Sequence, residues 1–286
     1  MAIATHKTLW RQAWDSRNEH FPASIRFCRP SATLAVTVTG KVCGLRCAHC
    51  SGHYLSGMRS LDDPAVARAK SLLISGGCDA EGRVPVLPQL ARISAVGAGK
   101  RLNWHVGLID EETMQAIQPH VHVISFDFPG SDRTIHHVYG LERTVADYVA
   151  TYRMLRRYAT VVPHITAGVY GGQMDGEREA LRLLRDLGAE ALVFIVFIPT
   201  VGTRFAGCKP PAVEEVADLL AEARLLLPDT PIHLGCMRPV GDYRDRLDPI
   251  AVGVGVNKIV NPARTAVEAA HELGLAVEWG DECCVL

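Results

Sequence analysis

The feature that most constrains this chain is an alternation. Short apolar, β-branched runs recur along it, and helix-patterned stretches lie between them. The runs are residues 33–39 (TLAVTVT), 71–75 (SLLIS), 102–108 (LNWHVGL), 121–128 (VHVISFDF), 160–168 (TVVPHITAG), 191–198 (ALVFIVFI), 231–236 (PIHLGC) and 255–260 (GVNKIV). Stretches 145–158, 177–187, 213–226 and 262–274 carry apolar residues at three- and four-residue spacing. Val145, Tyr148, Tyr152 and Leu155 share one face of the first, and Gly274 stops the last. Continuous apolar strands belong to a parallel sheet covered on both sides. Strands alternating with helices through right-handed crossovers leave a doubly wound sheet or a (β/α) barrel. About eight such units in 286 residues favour the barrel. The expected architecture is thus α/β, a single (β/α) barrel over 33–275, complete or nearly so. A helical extension over 1–32 precedes it, with an amphipathic helix at 5–18, and a cysteine-bearing tail over 276–286 follows. Functional side chains are expected on the loops that follow the strands.

Composition removes several alternatives. With 48% hydrophobic residues and a net charge of −1, the chain is neither disordered nor basic enough to grip nucleic acid through phosphates. Run 191–198 is far too short to cross a bilayer, and residues 1–16 (MAIATHKTLWRQAWDS) lack the apolar core of a signal peptide. Nine cysteines, an odd number in a chain too long for a disulfide miniprotein, are expected to be reduced thiols of a cytoplasmic protein.

Directly after the first run comes Gly40-Lys41-Val42-Cys43-Gly44-Leu45-Arg46-Cys47-Ala48-His49-Cys50, a C-x3-C-x2-C spacing. Three thiolates this close on one loop can face one centre, and thiolates select zinc or iron–sulfur clusters. A structural zinc site would add His53 or His49 as fourth ligand. A four-iron cluster held by three thiolates would instead leave one iron open to a small molecule, with His49 against it.

This spacing, placed after the first strand of a (β/α) barrel, resembles the radical S-adenosylmethionine superfamily, and its biotin-synthase-like members in particular. The resemblance implies a 4Fe-4S cluster on Cys43, Cys47 and Cys50. It also implies that S-adenosylmethionine chelates the open iron through its amino and carboxylate groups. Reductive cleavage then yields a 5′-deoxyadenosyl radical that takes hydrogen from an unactivated carbon; an apolar barrel interior suits that task. Gly76 and Gly77 match the turn that receives the amino end of the methionine. Cys78 stands where the family often has Glu, so Asp79 or Glu81 becomes the replacement candidate. Asp127 falls where related enzymes contact the ribose. His164 begins a segment (HITAGVYGG) that resembles the one lining the adenine, with Glu177 beyond it. His164 and His105 read equally well as core histidines, and Gly76-Gly77 alone reads as a simple turn.

Six cysteines remain: Cys28, Cys78, Cys208, Cys236, Cys283 and Cys284. Lone cysteines usually pack as small apolar groups. An adjacent pair on the acidic segment Asp281-Glu282-Cys283-Cys284 does not fit that pattern. A second iron–sulfur cluster on Cys236, Cys283 and Cys284 with Cys28 is the expectation, with Arg238 as a nearby contact. Segments 36–41 (VTVTGK), 50–55 (CSGHYL) and 234–239 (LGCMRP), with Cys283-Cys284, are most similar to the archaeal-type two-protein lipoyl synthase. That likeness implies an octanoyl-lysine carrier domain as substrate, sulfur insertion, a complementary radical protein, and ferredoxin or flavodoxin as electron donor. Radical rearrangement or methylation of a small molecule, and a non-catalytic zinc-stabilised barrel, are the competing readings.

Overall fold

The computed structural model describes residues 2–286, with residues 2–5 described only as helical backbone. Ten strands pair in parallel in one sheet: β1 (Ser24–Cys28), β2 (Thr33–Thr37), β3 (Ser71–Ser75), β4 (Arg101–Trp104), β5 (Val123–Asp127), β6 (Val161–Ala167), β7 (Leu192–Val196), β8 (Ile232–Leu234), β9 (Lys258–Val260) and β10 (Ala276–Gly280). The main helices are α1 (Ala2–His20), α2 (Leu90–Gly97), α3 (Glu111–Ile117), α4 (Val145–Arg156), α5 (Glu177–Asp186), α6 (Val213–Leu226), α7 (Asp242–Gly253) and α8 (Arg264–Glu272). From β2 to β9 every strand is followed by a helix, although after β2 this is only the turn Ala65–Arg68. The fold is therefore the expected α/β type, a curled parallel sheet built from repeating βα units. No helix among the described residues is long and apolar enough to cross a membrane.

The sheet runs β10–β1–β9–β8–β7–β6–β5–β4–β3–β2. Two of its strands lie outside the expected 33–275 span. Residues 1–32 contribute β1 as well as a helix, and β1 is inserted between β9 and β10, with Arg26 opposite both Lys258 and Glu278. The 276–286 stretch opens as the edge strand β10. Strand β1 alternates apolar Ile25 and Phe27 with exposed Arg26, and β10 is mostly exposed, so neither shows the continuous apolar run of the inner strands.

Side chains alternate across the sheet. Leu102, Trp104, Ile124, Phe126, Phe194, Leu234 and Ile259 point outward into the main core beneath the helices. The inner wall departs from the apolar expectation. It carries Asn103, Ser125, Asp127, His164, His233 and Lys258 beside Val123, Val162 and Val193. A wall this polar must find partners, because each buried polar group without one costs about 1–3 kcal/mol.

Many of those partners come from residues 281–286. The segment leaves β10 and crosses to β2. The Ala32 N–H donates to the Asp281 carbonyl at 2.8 Å, and the Cys283 N–H donates to Thr33 Oγ1 at 3.0 Å. Lys70 pairs with Asp281, and Arg101 with Glu282. The chain then enters the interior, where Cys284, Val285 and Leu286 pack on Val123, Val162 and Val193. Lys258 Nζ donates to the carbonyls of Cys284 (3.2 Å) and Leu286 (3.1 Å).

Arg238 is a fold element, and its charge also bears on Cys236. It is wholly buried, and its guanidinium grips Asp248 through Nε–Oδ1 (2.8 Å) and Nη2–Oδ2 (2.6 Å). It also donates to the carbonyls of Gly235 (2.6 Å) and Val260 (2.8 Å), while Asp248 accepts from the Ala263 N–H at 2.9 Å. One buried pair thus ties the ends of β8 and β9 to α7 and the start of α8. Removing one partner strands the other charge, so Asp248→Ala should lower stability by about 3–5 kcal/mol in urea unfolding.

Candidate active site

The three-cysteine loop follows β2 at the face where the strands end, and four neighbouring segments hold it. Thr37 Oγ1 donates to the Gly40 carbonyl (2.9 Å), and Thr39 Oγ1 accepts from the Gly77 N–H (2.7 Å). The Gly44 N–H donates to the Cys78 carbonyl (2.6 Å). The Ala48 N–H donates to Val138 (2.7 Å), and the Ala48 carbonyl accepts from Phe205 (3.1 Å). Val138 belongs to a turn of π-helix, Ile135–Tyr139, whose wider coil presents carbonyls toward the loop. Tyr139 supplies a second one, to the Cys47 thiol at 3.7 Å. Cys47 is buried; Cys43 and Cys50 are half-buried and face the mouth.

The thiols are crowded electrostatically. The neighbouring Cys47 thiol brings Cys50 down to about 4 despite burial, and His49 adds to the effect. Cys47 is pushed up by its interaction with Cys50, by burial, and by the charges of Cys50, Cys43 and Cys78. Full ionisation of such a group needs a cationic partner. Among the described residues no three His, Cys, Asp or Glu side chains close on a single ion. Three thiols on one loop are the donor type that an iron–sulfur cluster takes. His49 fits as well: its ring stands edge-on to Tyr139 (5.6 Å, 82°), and its Nδ1 is buried without a partner. His53, the other zinc candidate, sits exposed in the following turn.

Gly76 and Gly77 are required by close approach. A Cβ on Gly77 would meet the Val42 carbonyl at 2.0 Å and Cys43 Cα at 2.6 Å; one on Gly76 would press Thr39 at 3.0 Å. Asp79 and Glu81, the replacement candidates, both pair with Arg83. Arg83 Nε holds Asp79 at 2.9 Å, and Arg83 Nη2 reaches Glu81 at 3.3 Å. Cys78 is half-buried, and burial pushes its thiol up to about 12, with the charges of Cys43 and Asp127 adding to the shift.

Asp127, at the end of β5, is paired with His105 Nε2 at 3.2 Å, and the His105 ring stacks on His164 (6.4 Å, 22°). Protein surrounds this pair, yet solvent reaches it from the mouth: the two side chains are 35% and 40% exposed. Burial opposes both charges, but mutual attraction and the hydrogen bond prevail. Asp127 is held down to about 2 and His105 is raised above the ordinary histidine value. His164 has no carboxylate of its own and is lowered by burial to about 4. Its Nε2 lies 3.6 Å from Cys284 Sγ, so it joins the mouth to the interior segment. Glu177 opens α5 and is buried. Its Oε1 accepts from the Gly168 N–H at 2.8 Å, and its Oε2 has no partner.

The structure brings Cys236, Cys283 and Cys284 into one electrostatic group: the charges of Cys236 and Cys283 both bear on Cys284. The Cys283 thiol accepts from Cys284 and is drawn down to about 6, while Cys284 is pushed up. Cys28 is buried beneath Gly280, whose Cβ would sit 2.9 Å from its sulfur; its charge bears on Lys258 rather than on the other cysteines. Cys208 lies against the Gly171 turn. Tyr139, His233, Lys258 and Asn103 were not legible as site residues. Only their polarity inside or beside apolar runs could have marked them.

No protein-family profile matches the chain, and no curated protein matches it by sequence. Solved structures do. A methylornithine synthase, PylB, superposes with a TM-score of 0.70 at 13% identity, over 96% of this chain and 89% of that one. The FeFe-hydrogenase maturase HydG from Carboxydothermus hydrogenoformans also gives 0.70, at 14% identity over 96% and 72%. Streptococcus suis SuiB bound to S-adenosylmethionine gives 0.54, at 10% identity over 75% and 52%. Likeness at this identity shows a shared barrel fold.

The Asp127–His105 pair yields a direct check. In Asp127→Asn, burial acts on His105 unopposed, so its titration midpoint, followed by NMR of the ring protons, should fall from above to below the ordinary value. An unchanged midpoint would mean that the two side chains do not interact.

Proposed function

We propose that this chain is a radical S-adenosylmethionine enzyme, and that it inserts sulfur at an unactivated carbon of an octanoyl chain carried on a lysine of a lipoyl carrier domain. The observation that carries the first part is the loop itself. Cys43, Cys47 and Cys50 are clamped at the strand-end face of the barrel against a Gly76-Gly77 turn with no room for a side chain. The likeness to SuiB bound to S-adenosylmethionine supports it.

In this reading Cys43, Cys47 and Cys50 would hold a 4Fe-4S cluster, which supplies the electron that cleaves S-adenosylmethionine to methionine and a 5′-deoxyadenosyl radical. His49 and Tyr139 wall one side of the loop. The backbone of Gly76-Gly77 would receive the amino end, and Asp127, kept ionised by His105, would accept ribose hydroxyls. Glu177 braces the Gly168 turn and leaves one oxygen toward the adenine-lining segment. The surrounding wall limits water access to a species that would attack any nearby C–H.

Sulfur insertion rests on a second group of thiols. Cys236, Cys283 and Cys284 would be the ligands of a second iron–sulfur cluster, with Cys28 set apart from them. A complementary radical protein and a ferredoxin or flavodoxin donor complete the proposal.

Anaerobically reconstituted protein should be brown, hold more than four irons, and form 5′-deoxyadenosine when reduced with S-adenosylmethionine present. Cys47→Ala should abolish deoxyadenosine formation. Cys283→Ala/Cys284→Ala should keep deoxyadenosine formation but reduce the iron content to that of one cluster. Mass spectrometry of an octanoylated carrier peptide, turned over with the partner protein, should show added sulfur only with intact Cys283 and Cys284. Zinc without visible absorption would overturn the proposal. Deoxyadenosine formation at only four irons would favour rearrangement or methylation of a small molecule.

A further inference from the structure

We infer that loops 38–61 and 197–212 form a docking surface for an acidic one-electron carrier protein, which delivers its electron to the cysteine loop from outside the barrel. The inference rests on the reading of Cys43, Cys47 and Cys50 as a cluster site, and it names the side from which that site is reduced.

The two loops follow β2 and β7 and are bonded to each other at the strand-end face. The Phe205 N–H donates to the Ala48 carbonyl at 3.1 Å, and Tyr54 Oη and Thr200 Oγ1 share a hydrogen bond at 3.1 Å. Charge is unevenly divided here. The whole chain has a net charge of −1, yet these loops hold Lys41, Arg46, Arg59, Arg204 and Lys209 and not one Asp or Glu. Arg59 pairs with Asp63, beyond the loop, at 3.7 Å. Among the described residues Lys41, Arg46, Arg204 and Lys209 have no carboxylate partner. Arg204 instead lies over the Phe205 ring and donates to the His137 carbonyl, which keeps its charge at the surface.

On the same loops stand apolar side chains that the fold does not cover. Val201 is 87% exposed and Val42 74%, two of the three most exposed large apolar side chains among the described residues. Tyr54 is exposed beside Thr200. The third, Val240, is followed closely by the acidic Asp242 and is left out of the surface. Apolar contacts accompanied by unpaired arginine and lysine suit a protein partner of opposite charge. A second copy of this chain would set cations against cations. Three such side chains make a small patch, in keeping with a transient redox encounter rather than a permanent complex. The place of the patch decides the cargo. Lys41 and Arg46 bracket Cys43, and the half-buried Cys43 and Cys50 lie on the same loop, so a partner seated here is close to the thiols. One electron passes from the reduced carrier to the site. The carrier is oxidised by one equivalent, the site is reduced by one, and no bond forms or breaks.

The test uses the anaerobically reconstituted full chain, with flavodoxin as the acidic carrier and dithionite as a small reductant that needs no docking. Titration calorimetry with oxidised flavodoxin should show binding that weakens as salt rises. Arg204→Glu/Lys209→Glu and Val201→Glu should each weaken it about tenfold, while Arg204→Lys/Lys209→Arg should match the wild type. With reduced flavodoxin, the charge-reversed variants should raise the KM for flavodoxin in deoxyadenosine formation about tenfold and leave kcat unchanged. With dithionite they should match the wild type. Equal affinity in the wild type and the charge-reversed variants would overturn the inference. A parallel loss with dithionite would overturn it too, because the effect would then lie inside the site. Binding of an octanoylated carrier domain, or of phosphatidylserine vesicles, that these variants lose while keeping flavodoxin would assign the surface to that partner instead. If dithionite yields deoxyadenosine but flavodoxin does not bind, this inference alone fails; if dithionite yields none in the wild type, the reading of the loop fails.

Discussion

The insertion of β1 between β9 and β10 organises the molecule. Strand β1, arriving directly after α1, pairs in parallel on both sides and so is taken up within the sheet rather than at its rim. Strand β10 is thereby left as the outer strand beside the start of β2, and the residues after it bridge the gap. The bridge uses the Ala32 N–H, Thr33, Lys70 and Arg101, all near the starts of β2, β3 and β4. Having crossed, the chain is led inward, and the vicinal cysteines follow it. The position of Cys283 and Cys284 is thus a consequence of strand order.

The same arrangement explains why so polar an inner wall is tolerated. Asn103 accepts from Ser125 and donates to Cys283, His233 meets the Cys284 carbonyl, and Lys258 takes two carbonyls of the inserted segment. Each would be a costly unsatisfied group in an empty barrel. Nearer the mouth the solution changes: Asp127 and His105 satisfy each other in a place solvent still reaches, and His164 stays neutral between the two regions. The wall grades from a filled floor to an open, charged mouth.

Barrels of this kind host many unrelated activities, so the fold likeness to PylB, HydG and SuiB does not select a chemistry. The proposed chemistry rests on the cysteine loop. Its thiols are positioned by backbone hydrogen bonds from the β3 turn, the π-turn and the loop after β7, and by the missing side chains of Gly76 and Gly77. Backbone clamps of this sort hold a ligand set in place before any group binds.

The sequence by itself determined the repeating βα fold, the helix Val213–Leu226 and the strand Ser71–Ser75 to the residue, and the placement of Cys43, Cys47 and Cys50 just past the first inner strand. These are local matters: periodicity, β-branching and spacing act over a few neighbours, and a loop that follows a parallel strand has one face to go to. What only the tertiary structure decided depends on partners distant in the chain. Strands β1 and β10 lack a continuous apolar run because one carries Arg26 and the other is an exposed edge, so only the pairing of β1 with β9 and of β10 with β1 reveals them. Arg238 reads like a contact on the reaction face until Asp248, ten residues on, takes its guanidinium. Cys28 and Cys236 look alike in sequence, yet one lies sealed under Gly280 and the other is exposed, with the charge of Cys283 bearing on it. The reason is physical: the state of a buried polar group is set by what surrounds it, and that is supplied by the order in which strands pair.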